Sequence, residues 1–143
     1  MDIQNSIGGI DEHIPPYKLY SWGGVIVASL FGTILAGGIL MGMNYQRMGM
    51  QKEATKTYWI TVLVTIAGMT VGTLMPESVS PTTLSVPLLL GISYAAKQLQ
   101  GPAISQHIEA QGQMESNWKA FGLSLLVALG LLAVGITIAA IIS

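Results

Sequence analysis

The hydrophobic positions of this chain are concentrated in long stretches separated by short polar segments. Three stretches, at residues 22–43, 58–75 and 120–142, contain no Asp, Glu, Lys, Arg or His. A helix needs roughly 20 predominantly apolar residues to cross the hydrocarbon core of a bilayer. The pattern therefore predicts an all-α integral membrane protein, in which each of these stretches forms a transmembrane helix.

A fourth apolar stretch, at residues 84–96, is shorter and contains Pro87. If it extends from Ser80 as N-cap to Gln100, it reaches about 30 Å and crosses the membrane, with a kink at Pro87. The alternative is a re-entrant hairpin with Pro87 at its tip. We expect the crossing, which gives one transmembrane domain over residues 1–143, with a polar tail at 1–20. The predicted transmembrane helices are 22–43, 58–75, 80–100 and 120–142. A short interfacial helix after Gly101 connects the third to the fourth.

The basic residues predict the orientation. With four crossings, five of the six fall on one side, and Lys18 alone falls on the other. Basic loops stay on the cytoplasmic side, so both termini are expected in the periplasm. In the same arrangement the Tyr and Trp residues lie near helix ends, where these side chains prefer the headgroup region. The five residues on the cytoplasmic side are Arg47, Lys52, Lys56, Lys97 and Lys119.

Composition agrees with a membrane protein and narrows the chemistry. The chain is 51% hydrophobic and only 9% charged, and its mean hydropathy is +0.59. A net charge of −1 gives no reason to expect nucleic acid as a partner, and the absence of Cys excludes thiol chemistry. The acidic N-terminal tail lacks the basic region of a cleavable signal, so the first helix is expected to remain in the protein.

Small residues recur at four-residue spacing within the predicted helices. Such residues let helix backbones approach closely in a bilayer. These positions either assemble only the helices of this chain or also contact a second chain, and we expect a homo-oligomer or another membrane protein as partner. The predicted helix-packing positions are Gly24, Ala28, Gly32, Ala36, Gly38, Gly42, Gly68 and Gly72.

The polar residues predict binding rather than catalysis. No ionisable residue lies within the three clear spans, and hydroxyls such as Thr61 and Thr65 commonly bond to their own helix. The sequence contains no recognisable catalytic set and no set of metal ligands, so we expect no enzyme activity, cofactor or metal. Residues 98–119 form the most polar segment. They are either a connector or a recognition surface, with Gln106, His107 and Glu109 as the predicted partner-binding residues.

The sequence also contains several short motifs: Lys18-Leu19-Tyr20-Ser21, Gly32-Thr33 with Ala36-Gly37-Gly38, Asn44-Tyr45, Gly101-x-x-Ile104-x-x-His107 and Ser116-Asn117-Trp118. Together they resemble a loose family of small bacterial inner-membrane proteins with four helices. The resemblance implies a bacterial inner (plasma) membrane location and, for some members, a role as immunity partner of toxins that attack membranes. It supplies no catalytic residues.

Two functions fit these features. The first is a non-enzymatic membrane interaction protein that binds a membrane or toxin partner, as an immunity or assembly subunit. The second is a homo-oligomeric channel or passive transporter lined by the hydroxyls of the second helix.

Overall fold

The computed structural model describes residues 14–80 and 82–142, and these form a helical bundle. A π-helical turn, Ala96–Gln100, joins the third helix to the fourth. The helices are α1 (Trp22–Arg47), α2 (Gln51–Leu74), α3 (Thr82–Ala95), α4 (Gly101–Glu109) and α5 (Asn117–Ile142). The predicted all-α fold is confirmed in the described residues, and by length and composition alone α1, α2 and α5 could cross a membrane.

Helix α1 is not continuous, because it folds back on itself at Gly32 and Thr33. A straight helix of its 26 residues would be about 39 Å long. Yet the Tyr20 amide, just before α1, donates to Asn44 Oδ1 near its end at 2.8 Å, and Arg47 Nη1 donates to the Lys18 carbonyl at 2.6 Å. The expectation of a single helix across residues 22–43 therefore needs correction: this stretch is a helical hairpin whose two ends lie side by side.

The backbone at the tip shows how the chain reverses. Gly32 has φ −115° and ψ 15°, and Thr33 has φ 69° and ψ 172°, so neither residue is helical. The two halves pack closely where Gly37 faces Ser29, since a Cβ at Gly37 would overlap the Ser29 hydroxyl. Because glycine has no side chain, the backbones of the two short helices can pack closely at this contact. The tip lies about 15 Å from Trp22, close to half the thickness of a hydrocarbon core.

The hairpin is the centre of the bundle. Its first half packs on α5, where Gly32 meets the backbone of Ser124, and its second half packs on α2, where Gly38 meets Thr61 and Gly42 meets Tyr58. Helix α3 contacts α1 on a further side. As a result, 56% of the most apolar 18-residue stretch of α1 is buried, compared with 6% of the corresponding stretches of α2 and α5.

The third apolar segment differs in detail from the prediction. Pro87 lies inside α3, but the predicted kink there is not confirmed. The Ser80 hydroxyl accepts a bond from the Thr82 amide at 3.4 Å, which agrees with Ser80 as a capping residue, and Pro81 lies outside the described residues. The π-helical turn after α3 directs Gln100 into the bundle, where its side chain is wholly buried.

The polar residues of the bundle gather at one end. We call it the basic end and define it as residues 14–22, 44–59 and 94–119. It contains all six Lys and Arg residues, all five Tyr and all three Trp. The turn between α2 and α3, at residues 75–80, lies at the opposite end, because α2 starts at the basic end and α3 returns to it. The described part of the tail and the α1–α2 turn therefore lie together, not at opposite ends.

Candidate functional site

A cavity of about 690 Å³ lies beside the hairpin tip, between α2 and α3. Helices α2 and α3 converge at residues 75–80 and both pack on α1, but they make few contacts with each other. The space between them remains open from the tip to the end of the bundle opposite the basic end. The lining residues come from α1 (Ser29, Leu30, Phe31, Thr33, Ile34), α2 (Val64, Thr65, Gly68, Met69, Gly72), the turn (Met75, Pro76, Glu77, Val79) and α3 (Leu84, Ser85, Leu88, Leu89, Ile92).

The walls of the cavity are mostly apolar. The Ser29 hydroxyl donates to the Val25 carbonyl at 2.8 Å, and the Thr65 hydroxyl donates to the Thr61 carbonyl at 2.8 Å, so both are satisfied within their own helices. Glu77, exposed in the α2–α3 turn, is the one charged residue in the lining. An apolar cavity with a single charged residue at its mouth suits an apolar or amphipathic occupant.

Two glycines give α2 a bare surface in this cavity. A Cβ added at Gly72 would meet nothing within 4 Å, and one added at Gly68 would meet only Leu88 Cδ1, at 3.4 Å. They lie one helical turn apart and share a face. This surface is therefore free for close approach by another backbone.

The hairpin tip forms the inner wall. Thr33 is exposed and takes a left-handed φ that β-branched residues rarely adopt. Its hydroxyl accepts a bond from the Leu35 amide at 3.4 Å, at the start of the second half of α1. The interruption thus places the beginning of a helix beside the cavity.

A buried polar network closes the hairpin at the basic end. Asn44 and Gln100 are both fully buried. Asn44 Oδ1 accepts from the Tyr20 amide, and Asn44 Nδ2 donates to the Tyr20 carbonyl at 2.9 Å and to Gln100 Oε1 at 3.1 Å. Gln100 Nε2 donates to the Met41 carbonyl at 2.8 Å. These bonds join the two arms of the hairpin to the end of the third segment. Because the side-chain amides of Asn44 and Gln100 are hydrogen-bonded within the chain, we interpret the network as structural.

An ionic cluster holds the α4–α5 loop against the hairpin. Glu115 pairs with Lys119 at 3.0 Å and with Arg47 at 3.3 Å, and the Arg47 guanidinium lies 5.0 Å from the centre of the Tyr20 ring. Hydrogen bonding to Lys119, together with the nearby positive charges, lowers the pKa of Glu115 below its ordinary value. The same loop bonds to the tail, because the Glu115 amide donates to the Leu19 carbonyl at 2.8 Å.

The three predicted partner-binding residues are not equally accessible. Gln106 and Glu109 are exposed on α4, but His107 is buried. Its ring stacks on Tyr17 at 5.1 Å, and its Nε2 lies 3.0 Å from the Gln113 carbonyl. His107 therefore packs the loop onto the tail and is not free for a partner in this conformation.

The predicted helix-packing residues separate into two groups. Gly24, Gly32, Gly38 and Gly42 all make close contacts within the chain, and Ala28 and Ala36 are fully buried. The several small faces of α1 are thus occupied by its own neighbours and give no support for a second chain there. Only Gly68 and Gly72 remain open. Both were predicted as packing positions from their spacing, but the cavity itself depends on the hairpin, which was not predicted from the sequence.

The described residues contain no group of three or more His, Asp or Glu side chains placed to hold a metal. We found no match to the chain among protein-family models, curated proteins or solved structures. The motifs behind the family resemblance nevertheless have a structural explanation. Tyr20 bonds to Asn44, Gly32 meets α5, and the Ser116 hydroxyl accepts from the Trp118 amide at the start of α5.

Proposed function

We propose that this protein is a non-enzymatic membrane protein that binds an apolar helical segment of another membrane component in the cavity between α2 and α3. The observation that carries the proposal is the open surface at Gly68 and Gly72 inside that cavity. In a bilayer, small residues allow the close backbone contact that drives helix association. A partner helix is thus the occupant that this surface fits best.

We further propose that the chain enters the bilayer as a re-entrant hairpin (α1) followed by three crossings: α2, the α3 segment and α5. The side-by-side contact of residues 18–20 with Asn44 and Arg47 supports this arrangement. It brings all six basic residues to one side, and the positive-inside rule then makes that side cytoplasmic. The tail at residues 14–21 would be cytoplasmic and the end of α5 periplasmic, in place of the two periplasmic termini expected from four crossings.

In this orientation the cavity lies in the periplasmic half of the bilayer, with Glu77 at its mouth. A partner could therefore enter from the periplasm or laterally from the membrane. A membrane-attacking toxin in a bacterial inner membrane, which the family resemblance implies, is one such partner. The Thr61 and Thr65 hydroxyls are buried and bond to their own helix, so these two residues give the channel alternative no support.

The proposal can be tested by photo-crosslinking in native membranes. A photoreactive side chain at Met69, which is exposed and lines the cavity, should give a discrete protein adduct. Gly72→Leu would place a bulky side chain on the open surface of α2, prevent close backbone approach there and should abolish the adduct. Gly130→Leu is the matched control, because Gly130 of α5 also has nothing within 4 Å of its Cβ position but lies outside the cavity.

The adduct mass separates the possible occupants. An adduct with a different protein, lost in Gly72→Leu and retained in Gly130→Leu, supports the proposal. An adduct of twice the chain mass would make the partner a second copy. Crosslinking to lipid alone would contradict the proposal.

A further inference from the structure

We propose that Lys52, Lys56 and Trp59 of α2 form a binding site for the headgroup of an anionic phospholipid. The three residues are spaced by four and three positions, so they lie on one stripe of the helix. All three are exposed in the bundle, and Trp59 exposes 65% of its surface. The site lies at the basic end and is separate from the cavity described above.

The surface between these side chains is a shallow depression. It is lined by Gln51, Lys52, Thr55, Lys56 and Trp59, and its volume is about 470 Å³. Amide, hydroxyl and ammonium groups at the start of α2 can all donate hydrogen bonds to phosphate oxygens. The depression therefore offers donors at one end and an indole at the other.

The charges around the depression are predominantly positive. Within the described residues, Lys52 has no carboxylate within ion-pair distance, and Lys56 has one weak pair, to Glu53 at 3.9 Å. Both members of that pair are well exposed, so it contributes little and is easily exchanged for a phosphate. The site thus has two available ammonium groups and one competing carboxylate.

The residues that follow along the stripe favour a lipid over a soluble anion. Leu63, four positions after Trp59, exposes 62% of its surface and continues the stripe into the apolar part of α2. A headgroup at Lys52 and Lys56 would place its acyl chains along Trp59 and Leu63. Trp prefers this depth in a bilayer, where its ring is buried and its N–H can reach polar groups. Anionic lipids are also attracted to basic residues next to a membrane span.

The test uses contact quenching of Trp59 by brominated lipids. The full chain with Trp22→Phe and Trp118→Phe keeps Trp59 as its single tryptophan and is reconstituted in vesicles of phosphatidylglycerol and phosphatidylcholine. Bromine is carried on one lipid or the other at the same mole fraction. We expect phosphatidylglycerol to be preferred over phosphatidylcholine by about 5- to 30-fold in relative association constant, since each lysine near an anionic surface contributes about 1 kcal/mol.

Two double variants of equal charge decide whether the site is local. Lys52→Gln with Lys56→Gln should abolish the preference for phosphatidylglycerol. Lys18→Gln with Lys97→Gln removes the same charge from exposed positions elsewhere on the basic end and should leave the preference intact. In addition, Glu53→Gln should strengthen the preference by removing the competing carboxylate.

Three outcomes would overturn the proposal. Equal quenching by both lipids would show that no headgroup is selected. Equal losses in the two double variants would show a diffuse charge effect. Relief of quenching by inorganic phosphate at constant ionic strength would show that the site takes a free anion. Higher salt should weaken the preference of the unmodified site without any substitution, which tests the charge dependence even if a variant folds poorly.

Discussion

Replacing Gly32 with Ala should destabilise the protein, whereas the same change at Gly72 should not. Gly32 lies at the hairpin tip, directly against the backbone of α5. A Cβ there would lie 2.5 Å from the Ser124 carbonyl oxygen and 2.7 Å from the Ser124 Cα. Both atoms belong to the α5 backbone, so no side-chain rotation can relieve the overlap. Either α5 or the tip must move by several tenths of an ångström.

The expected magnitude follows from this overlap. Overpacking a well-packed core costs typically about 1–3 kcal/mol, and a backbone contact belongs to the upper part of that range. The φ of Gly32 is −115°, which alanine adopts without strain, so the clash accounts for most of the expected loss of stability. At Gly72 a Cβ meets nothing within 4 Å. Alanine there should be neutral or stabilise by up to about 1 kcal/mol through its higher helix propensity.

The assay is thermal unfolding, monitored by circular dichroism. The parent and the two variants are purified and measured in one and the same detergent. Gly32→Ala should melt lower than the parent, and Gly72→Ala should melt at the same temperature or higher. A Gly32→Ala variant as stable as the parent would refute the close packing of the hairpin tip on α5. Equal destabilisation of both variants would show that the loss does not come from this contact.

Two further predictions concern the basic end. Asn44→Leu should destabilise the folded protein by about 2–4 kcal/mol, because it leaves the buried N–H and C=O of Tyr20 unpaired. Asn117→Leu is the control in the same melting assay: it changes an exposed residue with one long bond to Ser21 and should destabilise much less. Glu115 should contribute stability above its ordinary pKa of 4.5, and this contribution should be lost as the pH falls through its lowered pKa in the folded state. Melting curves between neutral and acidic pH should show this loss for the parent but not for Glu115→Gln, and identical pH profiles would contradict the role of the cluster.

Helices α2 and α5 were predictable from sequence because they are long and apolar and only 6% of the most apolar stretch of each is buried. A helix in contact with lipid must be apolar on most of its surface, so hydropathy alone identifies α2 and α5. The starts of these helices are polar and extend beyond the apolar stretch: α2 begins at Gln51, seven residues before the predicted start. Hydropathy predicts only the apolar part of a helix. The helix itself begins or ends at a turn, such as the one at Gly49, which has a φ of 76°.

The hairpin was not predictable from hydropathy, because a straight helix and two short antiparallel helices have the same apolar content. The position of the two polar ends distinguishes them: in the hairpin the ends lie side by side, whereas in a straight helix they lie on opposite sides of the membrane. Lys18 is the one basic residue that a four-crossing arrangement leaves on the far side, and folding α1 back at Gly32 removes that exception. Asn44 carries a second signal, since a buried amide needs partners that a helix surrounded by lipid cannot supply. The cavity depends on the same reversal, so it could not be inferred either.

The most direct test of the account is the sidedness of three engineered cysteines. The chain contains no Cys, so each single variant reports one position without background. Ile14, Lys52 and Ser78 are all exposed and suit a membrane-impermeant thiol reagent applied to sealed right-side-out vesicles. A re-entrant hairpin predicts that Ser78→Cys is labelled, whereas Ile14→Cys and Lys52→Cys are protected until the vesicles are opened. Labelling of Ile14→Cys together with Ser78→Cys would contradict it, because α1 would then cross the membrane.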